Sequence, residues 1–434
     1  LIGSGHTSLM HGWLPLTVQA VAATALLAGT GWRTRRWRWR RLPAAALAGA
    51  LAAAGVWGYL RVAGLAEDPA PAGLWVWIAL TVVAATVAVA GWPATAWWRR
   101  AAALLAIPLC LLAALLALNR WVGYFPTVQT AWNQLTAGPL PGQTDRATAE
   151  AMAAAGTVPA AGVVVPVTIP ADASGFKHRG ELVYLPPAWF SAPRPALPVV
   201  MMIGGEFNTP ADWLRAGDAI ATVDAFAAGH DGNAPVLVFV DSGGSFNTDT
   251  ECVNGPRGNA ADHLTDDVVP FLIDEFAVSA DRANWGVAGW SMGGTCALNL
   301  TVMHPDRFRA FVDIAGDRGP NTGTREQTID RLFGGDAEAW AAFDPATVIT
   351  RHGRYRDVAG WFTVPGGTAE QTRAAEQLCT LGRDHGIDCA VVVQPGHHDW
   401  PYAAQAFRTA LPWLAGVLGT PAVPRIPLPA WPPR

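Results

Sequence analysis

Trp285-Gly286-Val287-Ala288-Gly289-Trp290-Ser291-Met292-Gly293-Gly294-Thr295-Cys296-Ala297 reads as a buried strand, a sharp turn and the start of a helix. Gly-x-Ser-x-Gly at such a junction is a nucleophile elbow: its glycines let strand and helix pack closely around a strained turn that lifts the serine hydroxyl above the sheet. Ser291 is therefore the expected nucleophile, and a solvent-facing serine in a tight turn is the plainer alternative.

Outward from this turn, β-rich runs at 163–169, 180–185, 197–203, 235–241, 285–289, 310–314, 359–364 and 390–393 alternate with helical candidates. Those candidates lie at about 211–228, 261–276, 292–303, 369–385 and 402–417. Strands separated by helices build a mostly parallel, doubly wound sheet with helices on both faces, which with the elbow specifies an α/β-hydrolase fold. The expected catalytic domain is 161–418, long enough to bury its own core.

A serine nucleophile needs a base, and in this fold the chain order is Ser, acid, His. Of ten histidines only His397 and His398 follow the last expected strand, so one of them is the expected base. The acid belongs after the sixth or seventh core strand; Glu370 is the first carboxylate after 359–364, and Asp317, after 310–314, is its rival. Two backbone N–H groups must face the developing oxyanion. Met292, next to the nucleophile, supplies one, and Glu206 in Gly204-Gly205-Glu206-Phe207 is expected to supply the other. No His, Cys or carboxylate cluster shows metal-ligand spacing, so neither metal nor cofactor is expected.

These residues also carry a family resemblance. The elbow, Gly244-Ser245-Phe246-Asn247-Thr248-Asp249, His304-Pro305-Asp306-Arg307-Phe308 and Gly396-His397-His398-Asp399-Trp400-Pro401-Tyr402 resemble the esterase D and antigen 85 mycolyltransferase family over about 161–418. The resemblance implies His398 rather than His397 as base, Glu370 after Gly366-Gly367-Thr368 as acid, and Glu206 as the second oxyanion donor. Where trehalose-handling members carry Asp and Arg around the motif glycine, this chain has Gly204, Phe207 and Asn208, so the resemblance implies a reaction class and not trehalose.

The chain has 434 residues, 51% hydrophobic and 15% charged, against about 25% charge in an ordinary soluble domain, so segments in lipid are expected. Net charge is −4 with no basic block beyond the first hundred residues, which excludes nucleic acid as a partner. Lys177 is the one lysine, and Ala, Gly and Pro abound, the texture of a GC-rich bacterial genome. Uncharged stretches at 13–32, 42–60, 73–91 and 101–118 each match the roughly 20 residues that cross a bilayer core, predicting four transmembrane helices within 1–118. No Asp, Glu, Lys, Arg or His lies inside these spans, which favours an anchor over a transporter.

Arg33, Arg35, Arg36, Arg38, Arg40 and Arg41 crowd the first connection and Arg99 and Arg100 the third, whereas the second holds Arg61 against Glu67 and Asp68. The positive-inside rule then puts the chain after residue 119 outside a bacterial cell membrane. These charges follow the first apolar run rather than precede it, so that run is read as retained and not as a cleaved signal. Residues 119–160 read as a linker and 419–434, with six prolines, as an extended tail. Cys252, Cys296, Cys379 and Cys389 all fall in the outside domain, where disulfides persist. Cys379–Cys389 with Cys252–Cys296 is the favoured pairing, and four buried thiols are the alternative.

The expectation is a membrane-anchored, extracytoplasmic serine esterase or acyltransferase acting on a lipid- or glycolipid-linked carboxylic ester. The rival is a catalytically silent ligand- or cell-wall-binding protein of the same fold.

Overall fold

The computed structural model describes residues 7–30, 32, 34–63, 70–92, 96–136, 138, 140–245 and 248–431. Arg33, Glu67, Asp68, Phe246 and Asn247, used above, lie outside the described residues. The chain divides into two compact units, Leu1–Ala137 and Gly138–Arg434.

The first unit is helical, with α1 (Trp13–Gly29), α2 (Leu42–Ala63), α3 (Ala72–Gly91), α4 (Trp97–Val122) and the short α5 (Val128–Leu135). A π-helical turn, Trp37–Arg41, runs straight into α2. Three helices, Trp37–Val62, Ala72–Gly91 and Trp97–Val122, are long and apolar enough to cross a membrane. The expected fourth span is shorter: α1 has 17 residues, about 26 Å at 1.5 Å per residue against a hydrocarbon core of about 30 Å.

Large apolar side chains point away from the bundle, Trp97 being 80% and Val89 77% exposed, while the wholly buried positions include Ala22, Ala84, Ala106 and Ala113. Apolar outside and small inside is the pattern of helices that pack in lipid, where close backbone approach replaces the hydrophobic drive. At Gly49 a methyl group would sit 2.6 Å from the Ala79 carbonyl oxygen, so α2 and α3 need that glycine to meet. This unit associates with membrane.

The second unit opens with α6 (Arg146–Ala154) and carries strands β1 (Val163–Val167), β2 (Glu181–Leu185), β3 (Val199–Ile203) and β4 (Val236–Val240). A small hairpin, β5 (Asn254–Gly255) and β6 (Gly258–Asn259), is followed by β7 (Trp285–Trp290), β8 (Ala310–Ile314), β9 (Ala359–Pro365) and β10 (Asp388–Gln394). The main sheet has eight strands in the order β1-β2-β4-β3-β7-β8-β9-β10. β2 is antiparallel to both its neighbours, and every pairing from β4 to β10 is parallel. β3, β4 and β7 are buried at every residue, as the continuous apolar runs of a doubly covered parallel sheet require. This is the expected α/β-hydrolase architecture.

The helices of this unit are α7 (Asp212–Arg215), α8 (Ala219–Ala228), α9 (Ala260–Asp262), α10 (Val268–Phe276) and α11 (Met292–Met303), then α12 (Arg325–Phe333), α13 (Ala337–Ala341), α14 (Pro345–His352), α15 (Ala369–Asp384) and α16 (Trp400–Val417). α11 packs on β7 and β8 with α14 beside it, and α16 packs on β7, β8 and β9 with α8 beside it. The run expected as one helix at 211–228 is two, because Asp218 takes φ 50° and breaks it. Disulfides join Cys252 to Cys296 and Cys379 to Cys389, as favoured above, and Cys110 is a buried free thiol. The end of the chain lies on the domain: Arg383 Nη1 donates to the Trp431 carbonyl, and Trp431 packs against the core.

Candidate active site

The elbow forms where β7 meets α11. Ser291 has φ 57° and ψ −124°, a strained conformation for a residue with a side chain. It persists because its surroundings fix it: Ser291 N–H donates to the Ile314 carbonyl (2.9 Å), and Ser291 C=O accepts from Gly294 N–H (2.7 Å). A side chain on Gly289 would collide with the Gly293 carbonyl, and one on Gly293 with that of Ile203, so both motif glycines are steric necessities.

The loop after β10 delivers the base. His398 Nε2 lies 2.9 Å from Ser291 Oγ, while the neighbouring His397 is exposed. The imidazole rests beside Trp290, with ring centroids 4.3 Å apart, and Asp399 caps α16 through Tyr402 N–H (3.0 Å), ending the loop at a fixed point.

Glu370 stands exposed in the first turn of α15, and the next residue, Gln371, lies beside the imidazole, with Nε2 3.3 Å from His398 Nδ1 and 3.4 Å from the Ala315 carbonyl oxygen. Gln371 Oε1 is buried without a hydrogen-bond partner. The rival Asp317 sits half-buried after β8, its N–H donating to Thr295 Oγ1 at 2.8 Å.

On the oxyanion side, Gly205 abuts the nucleophile so closely that a methyl on it would stand 3.4 Å from Ser291 Cβ. Its own N–H donates to Asn208 Oδ1 (2.7 Å), which sets the turn holding Glu206. Met292 opens α11, where first-turn N–H groups have no intrahelical acceptor. A second layer, invisible in the sequence, fixes this loop. Arg179 donates Nη2 to the Asn208 carbonyl (2.8 Å) and grips Asp241 through its backbone N–H, Nε and Nη2. Burial opposes ionisation of Asp241, but the Arg179 contacts outweigh it and hold the carboxyl below its usual range.

Beneath the elbow, burial pushes the Asp313 carboxyl up to about 7, against the opposing hydrogen bond from Gly316 N–H (2.7 Å). Its folded value thus lies above the ordinary 3.8, so the folded state holds a proton that the unfolded chain releases. Between about pH 4 and 7 stability should therefore fall by about 1.4 kcal/mol per pH unit from this group, and no further above 7. Unfolding free energies from urea curves should fall for wild type relative to Asp313→Asn at this slope across that range; parallel curves would reject it.

The fold and a serine–histidine pair at a strained elbow define a serine hydrolase of the α/β-hydrolase class. A family model described as "Putative esterase" matches residues 177–414, and the chain belongs to that esterase family. An uncharacterised protein of Corynebacterium glutamicum is 32% identical over 248 residues, 56% of this chain, and the match spans 58% of that relative. Among solved structures, an S-formylglutathione hydrolase of Agrobacterium tumefaciens is 17% identical, aligned over 60% of this chain and 97% of its own with a TM-score of 0.51, which shows the shared fold. A ferulic acid esterase aligns over 60% of this chain and 99% of its own, at 21% identity and a TM-score of 0.49. The chain thus joins a domain of that esterase family to helices long and apolar enough to cross a membrane.

Proposed function

We propose that the chain cleaves or transfers the acyl group of lipid-linked esters at the outer face of a bacterial membrane, through an acyl-enzyme on Ser291. Ser291 Oγ attacks the acyl carbonyl while His398 Nε2 takes its proton. The N–H groups of Met292 and Glu206 meet the oxyanion, and collapse expels the alcohol, which leaves with the proton from His398. Water or an acceptor hydroxyl then attacks the acyl-enzyme by the same route in reverse, giving the acid or a new ester. Glu370 or its rival Asp317 orients and charge-stabilises the imidazolium, with Gln371 packed against the ring. The observation that carries this reading is the 2.9 Å approach of Nε2 to Oγ at a serine held in a strained turn.

The apolar helices and the arginine-rich connections support an anchored domain facing outward. An anchored site meets bilayer esters at high effective concentration, whereas a soluble ester gains nothing from the tether. Residues 138–434 alone should keep full turnover of a short p-nitrophenyl ester but lose about tenfold or more on vesicle-embedded esters at low surface density. Equal rates on embedded esters would make the helices an address only and point to a soluble or cell-wall ester.

A further inference from the structure

Away from Ser291, the loop before β2 and the π-helical turn His263–Asp267 bring together His178, Glu181 and His263. One potential ligand atom from each lies within 4.8 Å of the other two. The side chains of Glu181 and His263 are wholly buried and that of His178 is 7% exposed.

The hydrogen bonds around the cluster leave a particular opening. His263 Nδ1 is 3.1 Å from Asp267 Oδ2, and Asp267 is itself fixed by Ala173 N–H (2.9 Å) and Ser174 Oγ (2.6 Å). Asp267 on Nδ1 is the outer support that metal-bound histidines usually have, and it leaves Nε2, 3.0 Å from Glu181 Oε1, as the ring nitrogen that would exchange its hydrogen bond to Glu181 for a metal. Glu181 Oε1 also accepts from Asp241 N–H (3.2 Å), yet Oε2 is buried with no hydrogen-bond partner, 3.6 Å from His178 Nδ1. The unfilled Oε2 thus faces the His178 imidazole, whose Nδ1 is also 2.9 Å from the Arg179 carbonyl oxygen, while Oε1 faces His263.

We propose that His178, Glu181 and His263 bind a divalent transition metal of the zinc class. Two nitrogens and one carboxylate oxygen suit zinc and its neighbours, while calcium and magnesium want oxygen throughout. Closing the set to the roughly 3.3 Å ligand spacing of a tetrahedral site with about 2.0–2.1 Å bonds takes side-chain shifts of about an ångström. Arg179 lies between two of the ligands in the chain, and through Asn208 it reaches the oxyanion loop, so the metal would steady that loop without touching substrate.

The test uses the full-length chain purified in detergent without chelator. Elemental analysis should find about one zinc-class ion per chain. After chelation, zinc should rebind with one-to-one stoichiometry in calorimetry and raise the thermal midpoint. Glu181→Gln should abolish the stoichiometric ion and the zinc-dependent shift; His178→Gln, at the rim, serves the same purpose should the buried variant not fold. Fluorophosphonate labelling at Ser291 is read in parallel, so that loss of the hydrolase reading and loss of the metal reading are separate outcomes. Absence of metal together with no zinc effect on the midpoint, or zinc binding that survives both substitutions, would overturn the site and leave a buried His263 ion pair.

Discussion

Ser291→Ala is expected to abolish fluorophosphonate labelling and to lower ester turnover by on the order of 10⁴–10⁶-fold. Without Oγ there is no atom to form the acyl-enzyme, and His398 can at best activate a water that the turn was not built to hold. The backbone adds a second, independent readout. At φ 57° and ψ −124° the serine pays for its position with strain of about 1–3 kcal/mol, which glycine would not carry. Ser291→Gly should thus match Ser291→Ala in inactivity while unfolding at a higher temperature than wild type. Labelling that persists in the alanine variant would remove Ser291 as the nucleophile.

The parts of this site that follow from local chain geometry were legible in the sequence. Elbow glycines, apolar strands and the His398 loop are read from neighbours within a few residues, and β7, β8 and α11 fall where their patterns put them. Residues 325–352 hold three helices that apolar periodicity did not announce, although Thr324 with Gln327 forms a capping box and Asp344-Pro345 starts another helix. Contacts between distant elements were not legible. Nothing in the string says that Arg179 meets Asp241 and Asn208, or that His178 and Glu181 meet His263 some 82 residues on from Glu181, because strand order and loop path decide both. The expected fourth span is an apolar helix of 17 residues, Trp13–Gly29, because Thr30 is already extended and ends it. Between Glu370 and Gln371 the difference is a fraction of a helical turn, finer than any sequence pattern resolves.

That fraction of a turn carries the second large effect. For His398 Nε2 to accept the Ser291 proton, Nδ1 must hold the ring hydrogen, and a hydrogen there is steadied by an acceptor. Gln371 places its side-chain amide 3.3 Å from Nδ1 and 3.4 Å from the Ala315 carbonyl oxygen, with Oε1 buried and unbonded, so the glutamine packs directly against the ring that must be held in place. Gln371→Leu should lower kcat by about 10²–10³-fold with little change in KM, since orientation is lost and substrate contacts are kept. Gln371→Glu places a negative charge beside the imidazole, favours its protonated form and should move the acid limb of the kcat/KM profile to higher pH. If Gln371→Leu is silent and Asp317→Asn costs 10³–10⁴-fold on the order expected for a lost carboxylate partner, the orienting group belongs to the loop after β8, and α15 contributes only packing.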